Sequence, residues 1–201
     1  RPASAEPKSR GRRKRMSEPT ADKVIVELDA LALGGSAVGT IVSGPERLIG
    51  KRCFVAFGAP DERVEGTVTE DKKRFAVVRL DRVLRPSSGR TTPACRHFGV
   101  CGGCDLQHVS ISAQREAKRN MLETMLRRHG GMSTDVAVVD ASEGLPSYGI
   151  RSRAILHAES DAIGFYRQSS HEPVALEECP ILEPALWEAF ASVKPSILDV
   201  G

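Results

Sequence analysis

Between positions 22 and 85 apolar residues come in short runs, each closed by turn-forming residues. The runs cover 24–28, 38–42, 53–57, 64–70 and 75–80. Between them lie Gly34-Gly35, Ser43-Gly44-Pro45, Gly58-Ala59-Pro60-Asp61 and Glu70-Asp71-Lys72-Lys73, all rich in residues that favour turns. Within 64–70, Val64, Gly66 and Val68 share one face, while Glu65, Thr67 and Glu70 bring polarity around them. Short strands at this spacing predict a small five-stranded β-barrel of the oligonucleotide-binding kind, with half of a sandwich as the alternative. Cys53 falls in the third run and reads as a small buried hydrophobe.

The pattern changes after position 85. Residues 86–94, rich in Pro, Ser, Thr and Gly, read as a linker. A helical period follows over about 112–129, with Ile111, Met121, Leu122, Met125 and Leu126 as its apolar side and Ala117 between them. Arg115, Lys118, Arg119, Arg127 and Arg128 form a basic side, either solvated or available to RNA, and Gly130-Gly131 supplies the stop. Strand-like runs return at 136–139, 149–157, 163–167 and 173–176, and 184–193 reads as a second helix. No internal repeat is visible.

Composition sharpens this picture. The chain has 201 residues, 40% hydrophobic, 27% charged and only 4% aromatic, so its cores must be built from Val, Leu, Ile and Ala. No apolar run approaches the roughly 20 residues of a membrane helix, and the basic start is not followed by the apolar stretch of a secretory signal. The reading is a cytoplasmic protein with no membrane partner. The net charge of +3 is unevenly held: residues 1–15 carry seven cations against Glu6, or +6, so the remainder sums to −3. Residues 1–21 read as a disordered basic arm, either solvated or neutralising phosphates. The chain starts with Arg1 and ends at Leu198-Asp199-Val200-Gly201, and truncation at both ends is the expectation.

Cysteine placement carries the chemistry. Cys95-x5-Cys101-x2-Cys104 is followed far downstream by Cys179-Pro180. Three near ligands and one remote one resemble the plant-type ferredoxin layout, and thiolates suit soft iron–sulfur cores. Gly102-Gly103, between two of these cysteines, lets backbone approach an inorganic core and aim N–H groups at sulfur. A four-thiolate zinc site is the rival, but it would ordinarily show two C-x2-C pairs, and there is one. A catalytic dithiol lacks a surrounding βαβ pattern and leaves Cys95 unexplained. Four unrelated thiols would leave unexplained three cysteines within ten residues. His97 and His108 flank the cysteines; Gln107 and His108 read as supporting or packing residues rather than ligands.

These residues also carry a family resemblance. Pro93-x-Cys95-x5-Cys101-Gly102-Gly103-Cys104-x2-Gln107-His108 resembles the signature of the cluster-containing RNA (uracil-5-)-methyltransferases of the 23S ribosomal RNA type. Gly149-x-Arg151-x-Arg153-Ala154, Ile163-Gly164-Phe165 and Cys179-Pro180-Ile181-Leu182 follow in the family's order. Segment 22–85 is similar to the TRAM domain of such enzymes, through Gly35-x3-Gly39 and Phe54-Val55-x4-Pro60-x-Glu62-x-Val64. Ile150 departs from the family, where an aromatic often precedes the Arg-x-Arg.

The resemblance implies a mainly β protein with some α. A TRAM-like barrel (22–85) and a linker (86–94) lead into an α+β iron–sulfur central domain (95–201). A Rossmann-like methyltransferase domain is expected in the family but absent from this chain. It implies a [4Fe-4S] cluster on Cys95, Cys101, Cys104 and Cys179, and S-adenosylmethionine bound on the missing domain. No catalytic or S-adenosylmethionine-binding residue is assigned here, since 197–201 only superficially resembles a glycine-rich cofactor strand. The partner implied is 23S ribosomal RNA, bound by a monomer. Alternation over 149–157 places Arg151 and Arg153 on one strand face, suited to phosphate, or else bonded to nearby carboxylates. Tyr166 is read as core or rim packing, or as a surface for stacking a base. The competing functions are a truncated RNA-binding module without catalysis, a zinc-stabilised RNA-binding protein, and a radical methylthiotransferase. The last would place its TRAM domain at the end and use a different cysteine spacing.

Overall fold

The computed structural model describes residues 22–130, 144–159 and 161–198. The basic arm (1–21), the strand expected at 136–139 and residues 199–201 lie outside these.

Five strands close a barrel: β1 (Lys23–Leu31), β2 (Ala37–Ser43), β3 (Arg52–Val55), β4 (Arg63–Asp71) and β5 (Phe75–Arg85). The order is β1-β2-β3-β5-β4, with β4 returning to β1. All pairings are antiparallel except β3 with β5. Each predicted run is found; β1, β2, β4 and β5 end later than expected and β3 ends earlier. Register shifts in β1 and β4 bend the sheet enough to close on itself. The protein is mainly β, and its barrel is consistent with the oligonucleotide-binding type.

Strand alternation fills the interior with small aliphatic side chains. Val24, Val26, Ile41, Val55, Val64 and Val78 point inward, and Leu48, from a short 3-10 turn, plugs one end. Cys53 is fully buried among them, donates to the Gly39 carbonyl at 3.8 Å, and has its thiol pushed up to about 11 by burial. It is the small core hydrophobe expected. Outside, charges interlock across strands: Arg63 and Arg85 both reach Glu27, Arg82 reaches Glu65, and Lys23 reaches Asp81 at 2.6 Å.

Beyond the barrel, α1 (Ile111–His129) is capped by the Ser110 hydroxyl, which accepts from the Ala113 N–H at 3.4 Å. Ala117 and Met121 pack on the barrel core. Leu122 and Met125, assigned to the apolar side from sequence, are instead exposed. A small hairpin pairs β6 (His157–Glu159) with β7 (Ala162–Gly164), and α2 (Pro184–Leu198) opens with Pro184 and buries Phe190. Residues 173–176 form no strand, only a bridge between Tyr166 and Pro173.

The strand expected over 149–157 is not formed. Ile150 and Arg151 instead donate backbone N–H groups to the Ile181 carbonyl, at 3.1 and 2.9 Å, in a bridge to the Cys179 segment. Arg151 and Arg153 therefore do not share a strand face. No helix among the described residues is long and apolar enough to cross a membrane.

Candidate metal centre and its joint to the barrel

Cys95, Cys101, Cys104 and Cys179 line one cavity, together with Phe98, Phe165, Leu176 and Ile181. None of the five cysteines is in a disulfide. Two straps hold the segments in place. Arg96 pairs with Glu177, while the Glu177 N–H donates to His97 Nε2 at 3.2 Å. On the other side the Gly102 N–H donates to the Tyr166 carbonyl at 2.8 Å, and the Gln168 N–H to the Val100 carbonyl at 3.0 Å. A remote cysteine thus meets three near ones because hydrogen bonds, rather than sequence proximity, join their segments.

Backbone N–H groups meet three of the four sulfurs, those of Cys95, Cys101 and Cys179. Gly103 N–H points at Cys101 Sγ at 3.4 Å. Those of His97 and Phe98 act on Cys95, and those of Leu182 and Ile181 on Cys179. Burial nevertheless dominates, and pushes the Cys95, Cys101 and Cys179 thiols up. These are thiols that a bound cation would have to deprotonate, with N–H donors already in position to stabilise the thiolates. A side chain at position 103 would put its Cβ 3.2 Å from Phe165 and 3.4 Å from Cys101 Sγ, so glycine keeps this wall thin. The donor set, all sulfur in an apolar enclosure, fits a soft metal or an iron–sulfur core. Among the described residues, no group of three or more His, Cys, Asp or Glu closes on a point that would hold one metal ion.

The flanking residues are structural. Gln107 Oε1 accepts from the Cys95 N–H at 3.1 Å, as its supporting role requires. Arg151 lies over the ring of Phe165, a cavity-lining residue, 5.4 Å from its centroid. Arg153 is exposed on irregular chain. Tyr166 is already stacked on His157, with centroids 3.7 Å apart, and meets His171 edge-on.

A joint that sequence reading missed connects the cysteine loop to the barrel. Glu62, fully buried, accepts from Arg90 Nη1 at 2.8 Å and from the Ala59 N–H at 3.0 Å. Arg90 also donates to the carbonyl of Phe57, which sits at a φ of 62°, unusual for a bulky residue. Phe57, Phe98 and His108 pack as an aromatic trio, with Phe57 and Phe98 5.2 Å apart. His108 Nε2 donates to the Gly58 carbonyl at 2.9 Å, leaving Nδ1 buried without a hydrogen-bond partner. The motifs containing Glu62 and His108 were the available signal; their mutual contact is not readable from spacing.

No family model matches the chain. It is 39% identical over 155 residues to the 23S rRNA (uracil(1939)-C(5))-methyltransferase RlmD of Halomonas elongata, covering 74% of this chain and 31% of that protein. It is 41% identical over 149 residues to the protein of the same name from Photorhabdus laumondii, covering 71% and 33%. A solved structure, the Pyrococcus abyssi tRNA (uracil-54, C5)-methyltransferase in complex with S-adenosyl-L-homocysteine, superposes with a TM-score of 0.57 and 27% identity, over 87% of this chain and 37% of that one. The chain spans about a third of the length of the curated relatives it matches. In sequence and in fold, over this span, the chain belongs to the RNA uracil-C5 methyltransferase family.

Proposed function

We propose that this chain is the RNA-holding and cluster-bearing part of an S-adenosylmethionine-dependent 23S rRNA (uracil-C5)-methyltransferase. In this reading the barrel is a TRAM domain, and Cys95, Cys101, Cys104 and Cys179 hold a [4Fe-4S] cluster. The carrying observation is that cysteines from two distant segments line one apolar cavity with backbone N–H groups on their sulfurs. The rival is a four-thiolate zinc ion, which would ordinarily draw on two C-x2-C pairs, whereas this chain has one such pair, Cys101 and Cys104.

When bound, the cluster supplies a rigid, oxidant-sensitive crosslink between the 95–104 loop and the Cys179 segment. Methyl transfer from a sulfonium donor to carbon involves no net electron transfer, so the site is assigned to architecture rather than to the reaction. This chain's own residues hold the loop against the barrel through Glu62, Arg90 and His108, and set Arg151 over Phe165. Arg153, exposed on the same segment, is the better placed of the two arginines to meet phosphate.

The test is anaerobic purification with iron, sulfide and zinc analysis and a visible spectrum. Four irons and four sulfides per chain are expected. Zinc alone, or no metal, would contradict the cluster and favour the second reading, a non-catalytic RNA-binding module.

A further inference from the structure

The barrel was the expected RNA platform, yet its charges are spent internally. Among the described residues from 23 to 85, every Lys and Arg except Lys73 and Arg74 in the β4–β5 turn lies in an ion pair. A cation held by a carboxylate has less to gain from a phosphate, because the carboxylate must first be displaced. Helix α1 differs. Lys118 and Arg119 have no ion pair among the described residues and sit one helical turn beyond Arg115 on the same side.

That side borders a broad groove of about 1230 Å³. Its lining includes Lys118, Arg119 and Leu122 from α1, Tyr148 and Ile150 from the stretch before Arg151, and Cys104 from the cysteine loop. Tyr148 is 37% exposed and has no ring partner among the described residues; Ile150 is 54% exposed and Leu122 45%. The groove therefore combines cations from α1 with exposed aromatic and aliphatic side chains, Tyr148 and Ile150, from a separate segment. Single-stranded RNA has matching faces, with phosphates along one edge and unstacked bases along the other. A duplex keeps its bases stacked and offers nothing to the apolar wall.

We propose that single-stranded RNA runs through this groove, phosphates on Lys118 and Arg119 and a base stacked on Tyr148, over the cysteine loop rather than across the barrel. This rests on the RNA-binding part of the proposed function and adds the track that the RNA takes.

The probe is a fluorescein-labelled single-stranded RNA of mixed sequence, read by anisotropy against the full chain at several salt concentrations. Replacing Lys118 and Arg119 together by Ala should weaken binding on the order of tenfold and lower the slope of log affinity against log salt by about 1.4, two contacts at roughly 0.7 each. Tyr148→Ala should weaken binding about fivefold or more with the salt slope unchanged, and Tyr148→Phe should restore it. Arg82→Ala, on the barrel, should change neither. Lys118→Arg with Arg119→Lys keeps the charge and should bind normally, so a loss there would show misfolding rather than lost contacts, and circular dichroism checks each variant. The basic arm is present in every variant, so its contribution cancels. If the wild-type chain binds RNA and the α1 and Tyr148 variants bind equally well, the groove is overturned while the RNA reading stands. If the wild-type chain binds no RNA, the RNA reading itself fails, and the groove with it. Equal competition by duplex RNA would overturn the stacking half of the proposal.

Discussion

His108 is buried at the joint between barrel and cysteine loop, with its Nε2 donating to the Gly58 carbonyl. Burial lowers its basicity and nearby Arg90 acts the same way, while the Gly58 carbonyl and Glu62 oppose them. The folded chain thus keeps the ring neutral at pH values where the unfolded chain would protonate it. Its stabilising contribution is present in full above the ordinary histidine value of about 6.5 and declines as pH falls below it. Thermal melts from about pH 7 to pH 5 should show this decline. His108→Gln, which retains a donor toward Gly58, should remove most of it; parallel curves for the two proteins would contradict the assignment. Arg90→Ala is expected to cost about 3 kcal/mol in urea denaturation, because it strands the buried Glu62 carboxylate without its counter-charge. An effect below about 1 kcal/mol would mean that water reaches Glu62.

At the scale of elements, the barrel and both helices were legible in the sequence, and the strands expected at 149–157 and 173–176 were not formed. Alternation predicts a strand wherever one face is buried in a sheet, and β1 to β5 satisfy that condition. Residues 149–157 carry similar alternation, but their backbone partner is the 180–183 segment, through the single bridge between Arg151 and Leu182, so only His157 joins a strand. Helix α1 fell where its period put it, yet Leu122 faces the groove because the barrel contact is narrow, taken up by Ala117 and Met121. Close approach sets the β7 turn. A Cβ at Gly164 would lie 1.9 Å from the Val174 carbonyl oxygen. Gly164→Ala should therefore destabilise by about 1–3 kcal/mol in urea denaturation, and a neutral result would show that the 173–176 segment can shift. The barrel's ion pairs have their own acid limit. Hydrogen bonds from Lys23 and then Thr67 hold the Asp81 carboxyl down to about 2. Its contribution is present above the ordinary value of 3.8 and is lost as pH falls toward about 2, well below the His108 window. Asp81→Asn should flatten that lower limb of the melt and leave the His108 limb unchanged.

For the whole molecule, the design is a self-neutralised barrel joined through a buried Glu62–Arg90–His108 seam to a loop that the Cys179 segment completes. The ligand candidates were readable because Cys95, Cys101 and Cys104 are close in sequence and Cys-Pro marks the fourth. The seam was not readable, because Glu62, Arg90 and His108 come from three segments and look like ordinary surface polar residues until they are packed. The same holds for the N–H groups around the sulfurs, which depend on backbone direction rather than residue identity. The most direct test of this account is iron per chain, after anaerobic reconstitution, across single Cys→Ser replacements of all five cysteines. The expected result is a comparable, large loss of iron for Cys95, Cys101, Cys104 and Cys179, with Cys53→Ser, a barrel-core change, retaining wild-type iron in whatever fraction folds. Full iron in the Cys179→Ser protein would contradict the account, because the remote segment would then be no part of the site.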